Sequence, residues 1–347
     1  MFEAIVTLCI AAAAAPCRDQ LVAGYEAQTL AGCEAALAAR PPDIATQPPH
    51  VLQGGPSCRT AGAALPVQEI APGVFVHRGT VAEPDAQNRG DVSNLGFVIG
   101  QSHVAVIDTG AARWMGEALW RAIRARSDLP VSHVILTHMH PDHVLGAAAF
   151  EGTGAKVVGH AGLPRALADR QENYTQSFQR LIGPAHFLGS HVAEVDVTVG
   201  AQMSIDLGGR ALHLQAWPLA HTGTDVTVRD DLTGTLFAGD LVFHRHTPAL
   251  DGSLPGWQAV LESLGTLPAE RVVPGHGGPS LDWPEGAADL LRYLEVLKAD
   301  TRAAIDAGVR LSEAAETIAQ REAPFWELFK AYNPRNATVA YTEMEWN

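Results

Sequence analysis

Four metal-capable side chains fall within six residues of this sequence, at His138, His140, Asp142 and His143 in the run Thr137-His-Met-His-Pro-Asp-His143. Imidazole and carboxylate together are donors that zinc and iron accept. In extended backbone His138 and His140 project to the same side, and the turn that Pro141 forces brings Asp142 and His143 round to a neighbouring position. One ion suits the first pair and a second ion the other. Three later residues supply the donors that two ions need: His221 in PLAHTGTD, Asp240 in LFAGD and His276 in VVPGHG. Each of these alone reads as an ordinary loop side chain. Taken with the dense run, they predict two Zn2+ ions, iron and manganese being the other ions that suit such donors. A pair of divalent ions lowers the pKa of a shared water toward neutrality, so that hydroxide attacks a polarised carbonyl. That is hydrolysis of a small ester, thioester, lactone or amide. Asp142 is the expected catalytic residue, binding metal and orienting the hydroxide, while Asp240 offsets the combined metal charge.

Such a centre must hang on rigid elements. SHVILT, Ser132 to Thr137, reads as a strand that runs straight into the histidine cluster, and VFVH, LGFVIG and HVAVID read as strands before it. Helical spacing follows in ARWMGEALWRAIRAR and is expected over Leu163 to Gln179, Gln258 to Leu264 and Gly286 to Ala307. Two half-buried sheets covered by helices fit this α/β alternation. Asp108, ending HVAVID, is the expected acceptor for the N–H of a ligand imidazole. His244, His246, Asp251 and Trp257 share the segment after Asp240 and are candidates for the pocket mouth, with Asn94 a candidate donor. Tyr174 and Phe178, four apart on one helix, are candidates to cap the site, although helix-face packing explains them as well.

The composition agrees with an enzyme of ordinary globular type. The 347 residues are 47% apolar and 18% charged, which excludes disorder and coiled coil. A formal charge of −14 and the lack of a basic run exclude a phosphate-tracking nucleic-acid surface. Residues 1–15 carry an apolar run from Ala4 to Ala15 that reads as an export signal and is too short to span a membrane, although Glu3 stands where a signal usually carries Lys or Arg. A periplasmic or secreted protein is therefore expected. Removal of that run takes Cys9 with it and leaves Cys17, Cys33 and Cys58, an odd count. A Cys17–Cys33 bridge would staple a small helical segment, but the connectivity stays open among three pairings. Residues 16–64 are this Cys-bearing segment and a Pro/Gly linker, and residues 65–347 one catalytic domain.

The HxHxDH signature at His138 to His143, followed in order by His221, Asp240 and His276, resembles the metallo-β-lactamase superfamily of di-metal hydrolases, over roughly Leu65 to Asn347. The resemblance implies an αββα sandwich with the site on loops at one edge of the two sheets. It also implies that His138, His140 and His221 hold one metal, that Asp142, His143 and His276 hold the other, and that Asp240 bridges them. With no cysteine after Cys58, the chain looks closer to the glyoxalase II-like and lactonase branches than to cysteine-containing lactamases. NRGDVSNLGFVIG, the helical insert near Leu163 to Arg180 and GDLVFHRHTPALDGSLPGW look like the SoxH-related quinoprotein relay system zinc metallohydrolases. That group implies a quinoprotein dehydrogenase system as partner. Two other readings follow from relatives: a mononuclear iron persulfide dioxygenase, and a non-catalytic metal-binding accessory protein of a quinoprotein system.

Overall fold

The computed structural model describes residues 1–12, 15–44, 46 and 49–346. The body of the chain builds two facing sheets. The first holds β5 (Gln68–Ala71), β6 (Val74–His77), β7 (Leu95–Ile99), β8 (Val104–Ile107), β9 (Val131–Ile135), β10 (Lys156–His160) and β11 (Val197–Val199), in spatial order β11-β10-β9-β8-β7-β6-β5. The second holds β12 (Gln202–Asp206), β13 (Ala211–Ala216), β14 (Val226–Asp230), β15 (Thr235–Phe243), β16 (Arg271–His276) and β17 (Leu281–Asp282), paired in sequence order.

Strict alternation along the strands sorts their side chains between two cores. Val98, Ala105, Ile107 and Ile135 point inward and meet Leu212, Leu214, Val226 and Phe237 of the second sheet. Phe97, Val104 and Val106 point outward, under α2 (Arg113–Arg124) and α4 (Leu163–Ile182). The outer face of the second sheet is covered by α6 (Leu254–Leu264), α7 (Ala288–Asp306), α8 (Leu311–Thr317) and α9 (Phe329–Glu345). The short helices α3 (Pro141–Val144) and α5 (Pro184–Phe187) complete the body. Helices outside two facing sheets make the αββα sandwich. Gly96 sets how closely the sheets approach, since a Cβ there would lie 2.4 Å from the Phe237 ring.

The first sixty residues depart from the sequence reading. The expected removable leader is, over Phe2–Ile10, the central strand β1 of a separate sheet, while Ala13 and Ala14 lie outside the described residues. Strand β1 pairs along one edge with β2 (Cys17–Ala27), and along the other with β3 (His50–Leu52) and β4 (Ser57–Thr60). The Cys-bearing segment, expected to be helical, is thus mainly sheet, with one helix, α1 (Leu30–Ala39), whose Cys33 packs against Ala4 and Tyr25. Two strands also interrupt the expected linker, of which Ala45, Gln47 and Pro48 are outside the described residues. The bridges are Cys9–Cys17 and Cys33–Cys58 in place of Cys17–Cys33. The physical reason lies in register: Cys9 and Cys17 sit opposite one another on β1 and β2, so a bond between them closes the ladder end.

Candidate metal centre

Strand β9 ends at Ile135, and Pro141, which has no N–H to donate, opens α3 from an extended His140. The turn between them is fixed by Asp108. That residue adopts a left-handed backbone (φ 56°), unusual away from glycine, and three hydrogen bonds hold its carboxylate. Oδ1 accepts from the Thr137 N–H at 2.8 Å, and Oδ2 accepts from Thr137 Oγ1 and from His143 Nδ1, both at 2.8 Å. Asp108→Asn, which places an amide against these donors, is expected to weaken metal binding by about 10- to 100-fold. Competition against a chelator measures this, and an unchanged affinity would count against the role.

Each of the histidines is anchored through one nitrogen and offers the other to a common centre. His221 Nδ1 lies 2.6 Å from the Ala249 carbonyl, His276 Nδ1 2.9 Å from that of Val92, and His138 Nδ1 3.0 Å from Thr137 Oγ1. His140 is reversed: Nε2 faces Asp251 Oδ2 at 3.2 Å, and Nδ1 turns inward. Inward, His140 Nδ1 is 3.1 Å from both His138 Nε2 and His221 Nε2. The donors form two groups, His138, His140, His221 and Asp240 in one and Asp142, His143 and His276 in the other, each within 4.8 Å.

Asp240 joins the groups. Its Oδ2 is 3.6 Å from His138 Nε2, 3.4 Å from His221 Nε2 and 3.4 Å from His276 Nε2, and its Oδ1 is 3.3 Å from His143 Nε2. His143 Nε2 and Asp240 Oδ1 are buried with no hydrogen-bond partner among the described residues. Such orphaned atoms are costly unless something is bound there. Converging imidazole nitrogens with carboxylates are the donor set of a divalent metal pair, so the residues fit one. Space around Asp240 is reserved by Gly275, where a Cβ would lie 1.9 Å from Oδ1. Gly275→Ala is therefore expected to displace the carboxylate and lower the metal content, as elemental analysis would show.

Burial and mutual charge set the protonation of the cluster. Burial, aided by the neighbouring His143, holds His138 well below the usual imidazole range, and burial takes His221 down to about 3. Burial also opposes charge on His143 and His276, but carboxylates outweigh it, Asp240 chief among them, and raise both. Their raised values mean that protons compete with metal for these nitrogens at a higher pH than for an ordinary histidine. Metal uptake should release protons and weaken as pH falls, about tenfold per unit for each proton displaced. Chelator competition at about pH 6, 7 and 8, with proton release recorded, tests this. A pH-independent affinity would contradict it.

The pocket candidates divide. Asn94 is not a pocket donor: its Nδ2 donates to the carbonyls of Pro274 (2.8 Å) and Gly278 (3.2 Å), and its Oδ1 accepts from Gly79 N–H, bracing the loop that carries His276. His244 Nδ1 accepts from Gly278 N–H at 3.1 Å and braces the same loop. Trp257 is fully buried, donates to the Leu241 carbonyl and stands 5.2 Å from the His221 ring as the wall behind it. Phe178 belongs to the core. Asp251, His246 and Tyr174 do lie around the centre. His246 packs on His276 at 4.8 Å, with its pKa lowered by burial to about 4. Tyr174 lies within electrostatic reach of Asp142 and Asp251, and burial raises its pKa.

Two neighbours had no sequence signal. Ser93 Oγ donates to the Asp142 carbonyl at 2.5 Å, and Tyr332 on α9 packs edge-on against His246 at 4.7 Å. A tyrosine on a helix more than fifty residues after the last ligand carries no motif.

Residues 88–276, which hold every one of these donors, match the model of the family described as the metallo-beta-lactamase superfamily. A hydroxyacylglutathione hydrolase of Albidiferax ferrireducens is 31% identical over 181 residues, 51% of this chain and 58% of that relative. The chain thus spans a little over half the length of that curated relative. Among solved structures, a metallo-beta-lactamase from Pontibacter korlensis has 24% identity and a TM-score of 0.54, over 67% of this chain and 99% of its own. A metallo-beta-lactamase family protein from Thermus thermophilus has 20% identity and a TM-score of 0.60, over 80% of this chain and 94% of its own. At these identities the solved structures speak for the fold alone.

Proposed function

This chain belongs to the metallo-beta-lactamase superfamily, and on that premise we propose that it is a di-zinc hydrolase of a small ester, thioester, lactone or amide. The observation that carries the reading is Asp240, one buried carboxylate reaching both donor groups with an oxygen that has no hydrogen-bond partner among the described residues. His138, His140 and His221 would hold one ion and Asp142, His143 and His276 the other, with Asp240 between. When bound, such ions acidify water and polarise a carbonyl. The protein's own part is to orient and to move a proton. Asp142 is the more exposed of the two carboxylates within the centre, 15% against 3% for Asp240, so its Oδ atoms are placed to accept a proton from the attacking water. Ser93 fixes the backbone of Asp142, and Asp251 and Asp108 fix the rings of His140 and His143.

Elemental analysis with a panel of ester, thioester, lactone and β-lactam probes tests the reading. About two zinc per chain and turnover of one class are expected. A single iron per chain with oxygen uptake on a persulfide would replace it with the dioxygenase reading, and inertness with capture of a quinoprotein dehydrogenase would replace it with the accessory-protein one. Both cystines suit an oxidising compartment, which favours a periplasmic or secreted protein. Among the described residues no helix is long and apolar enough to cross a membrane.

A further inference from the structure

The loop that anchors two of the metal ligands is itself held by an amide far along the chain. His221 is oriented by the Ala249 carbonyl, 2.6 Å from its Nδ1, and His140 by Asp251 Oδ2, 3.2 Å from its Nε2. Both partners stand in the connection between β15 and α6. Asn336 of α9 brackets that stretch: its Oδ1 accepts the Leu250 N–H at 3.0 Å, and its Nδ2 donates to the Pro248 carbonyl at 2.6 Å. Ala249 thus sits between two backbone groups fastened to one side chain, and Asp251 follows the second.

The amide is held in turn. Its Nδ2 also donates to the Tyr293 hydroxyl of α7 at 2.8 Å, that hydroxyl donates to Asn333 Oδ1 at 2.9 Å, and Asn333 Nδ2 donates to the Ile318 carbonyl at 2.9 Å. All three side chains are buried. Apolar residues would serve helix packing at these places without the risk of an unpaired buried polar group, which costs about 1–3 kcal/mol. A polar network with its members paired fixes one arrangement instead, and this one ends on the backbone of the ligand-anchoring loop.

The direction of the anchoring bonds decides which nitrogen faces the metal. A carbonyl only accepts, so His221 carries its proton on Nδ1 and turns the Nε2 lone pair inward. The Asp251 carboxylate likewise places the His140 proton on Nε2 and leaves Nδ1 for the centre. A shift of Ala249 and Asp251 would release both rings. The other donor group hangs on different partners: His143 on Asp108, His276 on the Val92 carbonyl, and the backbone of Asp142 on Ser93.

Resting on the two-metal reading above, we propose that Asn336 is a positioning residue for one metal and not the other. From the outer helices it aims His140 and His221, and so sets the affinity of the group formed by His138, His140, His221 and Asp240. The group formed by Asp142, His143 and His276 is left to its own anchors.

Zinc affinity measured on the full chain in two backgrounds separates the groups. His276→Ala disables the second group and reports on the first, and His221→Ala does the reverse. In competition against a chelator, Asn336→Leu, close in size but without the amide, is expected to raise the zinc Kd about tenfold in the His276→Ala background and less than about twofold in the His221→Ala background. Tyr293→Phe keeps the ring, drops the hydroxyl that steadies Asn336, and is the gentler second variant, with a rise of about threefold expected in the His276→Ala background. Tyr341→Phe removes the bond from the same helix to the Val309 carbonyl (2.7 Å) and should change neither Kd, which tells aim at the ligands apart from loosening of α9. Equal rises in both backgrounds overturn the proposal, as does a Kd in the His276→Ala background that neither Asn336→Leu nor Tyr293→Phe raises. Wild-type protein that takes up a single ion would refute the di-zinc reading, and the two backgrounds would still decide whether Asn336 acts on the first group.

Discussion

Changing Asp240 to Asn is expected to lower kcat/KM toward any accepted ester by about 1,000-fold, roughly 4 kcal/mol of barrier, together with loss of metal. The substitution keeps the shape of the side chain and removes its charge. Asp240 is buried, and its two oxygens stand within 3.6 Å of the inner nitrogens of His138, His221, His276 and His143. Burial alone would push this carboxyl up, yet His276, His143 and His138 hold it well below the usual carboxylate range. It is therefore the fixed negative charge against which two divalent ions can be brought together. An amide there offers one neutral oxygen and turns N–H groups toward nitrogens that must donate electron pairs. Metal content should fall from about two per chain to one or none, which separates lost metal from a lost proton acceptor. Asp142→Asn gives the contrast, since it should depress turnover more than metal content. Full metal content and full turnover in Asp240→Asn would remove the bridging role.

The second large effect concerns stability, far from the centre. Glu3 is fully buried, and its carboxylate meets Arg121 on α2 through both oxygens, Oε2 to Nε at 2.7 Å and Oε1 to Nη2 at 2.9 Å. Oε1 also accepts the Gly62 N–H at 3.1 Å. Glu3→Ala leaves the guanidinium of the buried Arg121 without a counter-charge in the interior, and should cost about 3–5 kcal/mol. That is a large share of the roughly 5–15 kcal/mol by which a domain is stable. Urea unfolding of the oxidised protein measures it, and a loss below about 1 kcal/mol would show that the N-terminal sheet contributes little to the body.

Deleting residues 1–15 should do more. It strips β2 of its central neighbour, unpairs Cys17 and removes Glu3 together with the apolar face of β1. Strand β2 also reaches the metal centre indirectly. Arg18 pairs with Glu117, and Arg113 donates to Leu21 of β2, to Glu117 and to the Ala148 carbonyl just after the ligand run. Intact mass of the protein purified from cells is expected to include these residues.

The chemistry was legible because it is written in neighbouring residues. His138 to His143 specify donor types and a turn within one local segment, and Pro141 enforces that turn whatever surrounds it. The strands VFVH and LGFVIG and the long amphipathic helices were legible for a similar reason, since hydrophobic periodicity is a local record of which face is buried.

The N-terminal run is ambiguous in sequence because an apolar stretch of that length has the same composition as a leader and as a central strand, which is covered on both faces. Its one charged residue, Glu3, held the information, but that becomes readable only when Arg121, 118 positions away, is seen opposite it. Asn94, His244 and Trp257 failed as pocket residues on the same ground. Their donors and acceptors are spent on backbone groups of distant loops, and the sequence does not state which loops meet. Tyr332 was invisible for the converse reason: the fold brings α9, late in the chain and without a motif, against His246 beside the centre. The sequence by itself thus determined which atoms can hold metal, and only the tertiary structure decided what faces them, because ligand type is a property of residues and proximity a property of the fold.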